Sequence, residues 1–181
     1  MGRMADLNNA LNNKTIAILS TDGFEDSELT SPKEAVEAAG ATTRVVSTES
    51  GEIEGKNGTK VAVELLTSDA NVNDFDALIL PGGTINADHI RVDEDAVALV
   101  KAFKDAGKPI GVICHGGWIL TDADVIRGVK LTSVKNVKTD LINAGADWVD
   151  EEVVVDSGVI SSRTPDDLPA FNAALVEEFA K

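Results

Sequence analysis

The sequence predicts a three-layer α/β/α sandwich built on a doubly wound, mostly parallel sheet. Short β-branched runs alternate with longer stretches of helical spacing, the pattern of successive βαβ units. Two of the runs, ALIL at 77–80 and IGVI at 110–113, are apolar throughout, as befits strands covered on both faces. At 181 residues and 43% hydrophobic the chain can bury a sizeable core in one domain without disulfides or a structural metal.

The first strand is expected over 15–20 (TIAILS), followed by a polar turn at Thr21, Asp22 and Gly23 and a helix over about 26–39 that stops at Gly40. TTRVVS at 42–47 reads as the second strand. Asn57–Gly58 lies between extended segments in 51–64, a hairpin signal that interrupts the simple alternation. Pro81, Gly82 and Gly83 end the strand at 77–80 abruptly. A helix over about 94–106 carries Ala96, Val97, Val100 and Phe103 at helical spacing, and Gly107–Lys108–Pro109 closes it. After 110–113 come a short helix near Trp118, a strand near 129–131, a helix around 137–144 and a hairpin of 153–155 with 159–161 around Asp156, Ser157 and Gly158. The last helix, about 165–180, places Leu168, Phe171, Ala174, Leu175 and Phe179 on one side.

Lysine and arginine number 16 against 31 acidic residues, a net charge of −15 that repels nucleic-acid backbones and anionic membrane surfaces. No apolar run is long enough to span a bilayer. A single cysteine excludes an intrachain disulfide and suits a reducing compartment, so a cytoplasmic location is expected. Residues 1–13 are polar and lack an apolar leader; they are expected to form a flexible extension to one domain over 14–181.

The chemistry centres on Cys114. In GVICHGG at 111–117 an apolar strand runs into Cys–His, then two glycines, then a helical stretch. This is the layout of a nucleophile elbow, which lifts a side chain above the carboxyl edge of the sheet, where open α/β sheets bind ligands. The N–H groups of the following helix are expected to favour the thiolate. Most lone cysteines are small buried hydrophobes, but the strand end and the Gly–Gly turn oppose that reading here.

A thiol also needs a proton partner, and the chain has only His89 and His115. No histidine follows His115, which excludes triads that take theirs well downstream. Adjacent side chains on ordinary backbone diverge, so Cys114 and His115 form a dyad only on a strained turn. GFEDSEL at 23–29 brings Glu25, Asp26 and Glu28 to the same edge. The helix macrodipole accounts for the first two, whereas Glu28, one turn in, could face the sulfur, remain partly protonated and donate to it. The N–H groups of Gly82 and Gly83, with that of His115, could form an oxyanion hole. No metal or cofactor is expected.

GFEDSEL at 23–29, LPGG at 80–83, NADHIR at 86–91, ICHGGW at 113–118, INAGADWVDEEVVVD at 142–156 and SSRTPDDLPAF at 161–171 together resemble the ThiJ/PfpI family. That family belongs to the class I glutamine-amidotransferase-like superfamily and includes intracellular proteases, general stress proteins and deglycases. The resemblance implies a flavodoxin-like fold, with Cys114 as nucleophile, His115 as its dyad partner and Glu28 as the carboxyl group on the sulfur. It further implies a homodimer or higher oligomer in which an acid from the neighbouring subunit orients the histidine. The matching position is Asp88, reached with a one-residue shift and one methylene shorter than the glutamate of the protease members. Gly117 stands where the family usually has proline.

Three functions follow as expectations. The first is a cysteine-dependent hydrolase acting on a small-molecule or glycated protein substrate, with deglycation and aldehyde detoxification as its roles. The second is an intracellular cysteine peptidase with the same nucleophile. The third is a non-enzymatic stress protein, a chaperone or an oxidant sensor in which Cys114 becomes a sulfinate held by protonated Glu28.

Overall fold

A computed structural model describes residues 8–181. Strand β1 (Thr15–Leu19) lies inside the sheet, paired in parallel with β2 (Thr42–Ser47) on one side and β6 (Ala77–Leu80) on the other. Beyond β6 come β7 (Ile110–Ile113), β11 (Val159–Ser162) and β10 (Val154–Asp156), and beyond β2 the short β5 (Leu65–Leu66). Of these seven strands only β10 runs antiparallel to its neighbour, as expected of the hairpin turning at Ser157 and Gly158. The chain moves outward from β1 to β2 and β5, then returns to the other side of β1 for β6. This reversal is the topological switch point, and it opens a crevice at the carboxyl ends of β1, β6 and β7.

Both faces of the sheet are buried, and side-chain alternation sends each strand's residues to two cores. Ala17, Leu19, Leu78, Leu80 and Val112 pack under α3 (Glu94–Asp105) and α4 (Trp118–Asp122), where Val100, Phe103, Ile119 and Leu120 close the layer. Ile16, Ile18, Val45, Ile79 and Ile160 pack under α1 (Asp26–Ala38) and α6 (Leu168–Phe179), against Leu29, Val36, Phe171 and Leu175. Helix α3 starts where Asp93 accepts a hydrogen bond from the Ala96 N–H at 2.9 Å, the N-cap that its sequence provides.

Three smaller elements complete the fold. The expected hairpin is β3 (Glu52–Glu54) against β4 (Lys60–Ala62), pinned to α1 by Asp26, whose carboxylate accepts from the N–H groups of Asn57 at 3.0 Å and Thr59 at 2.9 Å. A parallel pair, β8 (Lys130–Leu131) with β9 (Asp147–Trp148), flanks α5 (Lys138–Asn143). Helix α2 (Thr84–Ile90) occupies a stretch where no element was expected.

The expected extension divides in two. Residues 1–7 of it lie outside the described residues. Residues 8–13 correct the expectation, because they fold back as turns and Leu11 is fully buried in the core beneath α1. The Leu11 N–H also donates to the Ala39 carbonyl at 2.9 Å, so this turn seals the C-terminal end of α1. Leu11→Ala should therefore cost about 2–5 kcal/mol in urea unfolding, the range for a buried leucine, whereas a loose tail would show no change.

Candidate active site

Cys114 follows the last residue of β7 with φ of 61°, the left-handed conformation that an L-residue other than glycine enters at a cost of roughly 1–2 kcal/mol. The turn survives because Gly116 lets it press on the end of β6. A Cβ there would lie 2.6 Å from the Leu80 carbonyl oxygen and 2.9 Å from that of Pro81. Gly117 is under no such constraint: its φ is −67°, and a Cβ would meet only the Leu141 methyls at 3.5 and 3.6 Å. The position would accept proline, so the departure from the family pattern leaves the turn as it is.

On this strained backbone the two adjacent side chains do converge. The Sγ of Cys114 lies 3.3 Å from Nδ1 of His115. The other ring nitrogen, Nε2, lies 3.3 Å from Oγ1 of Thr84, the first residue of α2. The edge of the ring meets Trp118, centroids 5.6 Å apart, and Trp118 is itself held by a 2.8 Å hydrogen bond from Nε1 to Asp140 and by the Arg91 guanidinium over its ring. Burial and the nearby Lys56 charge hold the imidazole below its ordinary pKa, so it is neutral at pH 7. In the tautomer whose Nε2–H donates to Thr84, Nδ1 presents its lone pair to the sulfur.

Glu28 is fully buried and acts on the same sulfur. Its Oε1 accepts from the Gly82 N–H at 3.0 Å, and its Oε2 is buried without an ordinary hydrogen-bond partner. Burial, then the Glu25 charge, pushes the carboxyl up to about 8, against the opposing pull of the Gly82 N–H and of Cys114. At neutral pH Glu28 therefore keeps its proton. Lys56 bonds Glu25 at 2.7 Å at the outer rim and moderates both neighbours.

The thiol departs from the sequence expectation. Burial and the Glu28 charge push Cys114 up to about 12, while the N–H groups of His115 and Gly83 pull the other way. The turn after Cys114 is one 3₁₀ turn leading into a five-residue α4, too short to outweigh burial. The carboxylate's repulsion disappears once Glu28 is protonated, and the acid becomes a donor toward sulfur. The thiolate is therefore favoured only while Glu28 keeps its proton, and the two groups titrate as one coupled pair.

The two glycines of LPGG divide their tasks. Gly82 is occupied with Glu28, so its N–H positions the carboxyl, a correction to its expected role as an oxyanion donor. A Cβ on Gly82 would lie 2.3 Å from Glu28 Oε1 and 2.8 Å from the Cys114 Cβ, so only glycine lets the two groups approach. The N–H groups of Gly83 and His115 act on the sulfur and are the donors on hand for an oxygen attached next to it. Asp88 sits on the same face of α2 one turn beyond Thr84, 65% exposed and 3.8 Å from His89. Within one chain no hydrogen bond joins it to His115 among the described residues.

Three contributors were not legible beforehand. Thr84 follows LPGG directly, yet its role depends on α2 starting there. Asn86 is buried and ties the strand ends together: Oδ1 accepts from the Thr21 N–H at 2.8 Å, and Nδ2 donates to the carbonyls of Pro81 at 3.1 Å and Gly82 at 3.0 Å. Lys56 arrives from the β3–β4 hairpin turn, far from the site in sequence.

A sequence model described as the DJ-1/PfpI family matches residues 14–178. The chain belongs to the DJ-1/PfpI family. Among its relatives, an uncharacterised protein from Staphylococcus saprophyticus is 49% identical over 168 residues, which cover 91% of this chain and 97% of that one. A Bacillus subtilis protein provisionally named cysteine protease YraA is 46% identical, covering 88% and 94%. Among solved structures, the ThiJ/PfpI domain protein of Brachyspira murdochii is 28% identical with a TM-score of 0.86, covering 92% and 96%. A two-domain Anabaena variabilis protein with DJ-1/ThiJ/PfpI-like and ferritin-like domains is 33% identical with a TM-score of 0.88; the 91% of this chain that matches spans only 49% of that protein.

The raised Glu28 pKa links the site to stability. A carboxyl raised in the fold from 4.5 to about 8 stabilises fully below pH 4.5, and this contribution is lost as the pH rises through 8. Relative to Glu28→Gln, the wild type should lose stability across that interval with a slope approaching about 1.4 kcal/mol per pH unit in urea titrations. Parallel pH profiles for the two proteins would show that Glu28 is not held in its acid form.

Proposed function

We propose that the chain is a cysteine-dependent hydrolase acting on small carbonyl adducts of amines and on reactive aldehydes. The observation that carries this reading is the placement of Cys114 Sγ 3.3 Å from a neutral His115, with the protonated Glu28 carboxyl acting on the same sulfur. His115 Nδ1 takes the thiol proton as sulfur attacks the carbonyl carbon, and Thr84 stabilises the imidazolium through Nε2. The developing oxyanion is held by the N–H groups of Gly83 and His115. For a methylglyoxal adduct sulfur replaces the amine on the carbinol carbon, and the imidazolium returns its proton to the leaving nitrogen. A proton shift between the two adjacent carbons turns the resulting hemithioacetal into a thioester, and water releases the hydroxy acid, so the net change is addition of one water.

Peptide hydrolysis by the same residues is the second reading, favoured by the provisional protease name of the Bacillus subtilis relative. We include a homodimer in the proposal, because the exposed Asp88 lies on the face of α2 that carries Thr84 toward His115 and would be accessible to a second copy.

Incubation with a methylglyoxal-treated peptide and with unmodified casein, each beside Cys114→Ala, separates the readings. The proposal predicts amine release without casein cleavage, lost in Cys114→Ala and reduced about 10²–10⁴-fold in His115→Ala. Its kcat/KM should be bell-shaped in pH, with the acid limb below 6.5, set by His115, and the basic limb near 8, where Glu28 ionises. Casein cleavage would favour the peptidase, and no Cys114-dependent turnover of either substrate would leave oxidant sensing.

A further inference from the structure

A second polar cavity opens beside the active-site crevice, at the carboxyl ends of β1 and β2. Its volume is about 260 Å³, and its walls include Asp22, Ser47, Glu49, Glu52, Ile53 and His89. With strands spaced by about 4.8 Å, it lies roughly 10–15 Å from Cys114 along the sheet edge. Asn86 and helix α2 form the wall between the two sites, since Asn86 binds both Thr21 and the LPGG turn, and α2 carries Thr84 at one end and His89 at the other.

Two independent observations mark this cavity as a binding site. The first is Ser47, the last residue of β2, which is 1% exposed and whose hydroxyl has no hydrogen-bond partner. Alternation along β2 places Ser47 on the face of Val45, toward Ile53 and the β3–β4 hairpin, and both Ser47 and Ile53 line the cavity. A buried polar group left unpaired is destabilising, and a bound donor would recover part of that loss. The second is charge. Asp22, Glu49 and Glu52 stand around the opening, and no lysine or arginine forms an ion pair with any of them among the described residues. Only one oxygen of Asp22 is engaged, by the Glu54 N–H at 2.8 Å.

The carboxylates do not suit a bare ion, because no three acidic, histidine or cysteine side chains among the described residues converge closely enough to hold a metal. They suit a larger cation whose N–H donors reach several walls at once. We infer that this cavity is a binding site for an organic cation, an ammonium or guanidinium group that donates to the Ser47 hydroxyl and is neutralised by Asp22, Glu49 and Glu52. Such a group can come from a free amine or from the basic side chain of a peptide lying across the crevice. The inference concerns binding alone and does not depend on what Cys114 does.

Calorimetric titration of the full chain at low ionic strength tests it, using agmatine, a blocked Gly-Lys-Gly peptide and the same peptide acetylated on its lysine. Repeating the titrations on Cys114→Ala separates binding from turnover. Saturable binding of agmatine or of the lysine peptide is expected, absent for the acetylated peptide and weakened at least about tenfold in E49Q/E52Q, whose two positions are exposed and do not support the core. Ser47→Ala should weaken binding while leaving the empty protein no less stable, since it removes an unpaired buried hydroxyl. Binding of agmatine alone identifies a small-molecule site, and binding of the peptide identifies a basic side chain. Equal binding of the acetylated peptide, no saturable binding, or affinity unchanged in E49Q/E52Q would overturn the inference.

Discussion

The contact on which the site depends is that between a carboxyl group and a sulfur, both removed from water. Glu28 is buried at the start of α1, fixed by the Gly82 N–H, and Cys114 is raised beside it on a left-handed turn. Neither position is comfortable alone. A buried carboxylate beside Glu25 resists ionisation, and a cysteine with positive φ stores backbone strain. Each makes sense in the presence of the other: the acid keeps its proton and so removes the charge that opposes a thiolate. The doubly wound sheet supplies the rigidity that this arrangement needs, because Glu28, the LPGG turn and Cys114 follow three adjacent strands at the switch point.

Packing around that contact is close enough to dictate residue types. Gly82 separates Glu28 from Cys114 and leaves no room for a Cβ, and Gly116 allows the elbow to rest on the carbonyls ending β6. Asn86 then locks the β1 and β6 ends together through three hydrogen bonds. The result is a site built on strand ends and one short helix, held in a geometry that isolated loops could not maintain. Its one departure from a preformed thiolate is that the resting sulfur keeps its proton, which gives His115 a task as base.

Much of this was legible in the sequence because it depends on local patterns. Apolar runs at 77–80 and 110–113 mark strands buried on both faces, and Cys–His–Gly–Gly after such a run marks the elbow. Glu28 was readable as a candidate from its place one turn into α1, although its role rested on the family pattern until its burial was seen. What escaped is non-local or too short to show a period. The two-residue strands β5 and β9 carry no alternation, and α2 lies in NADHIR, where polar residues mask a helix held by Ala87 and Ile90 underneath. Thr84 and Lys56 depend on tertiary placement, and Leu11 looks like part of a polar tail until its single apolar side chain finds the gap under α1.

The shared state of Glu28 and Cys114 is tested most directly by the rate at which Cys114 is alkylated by iodoacetamide as a function of pH, in the wild type and in Glu28→Gln. Below pH 8 the two proteins should react at similar rates, because both present a neutral donor to the sulfur. Above about 8 the wild-type rate should fall behind the variant's, as the ionised carboxylate opposes the thiolate. Superimposable curves above that pH would show that the carboxyl group does not govern the sulfur, and the site would have to be explained by the elbow and His115 alone.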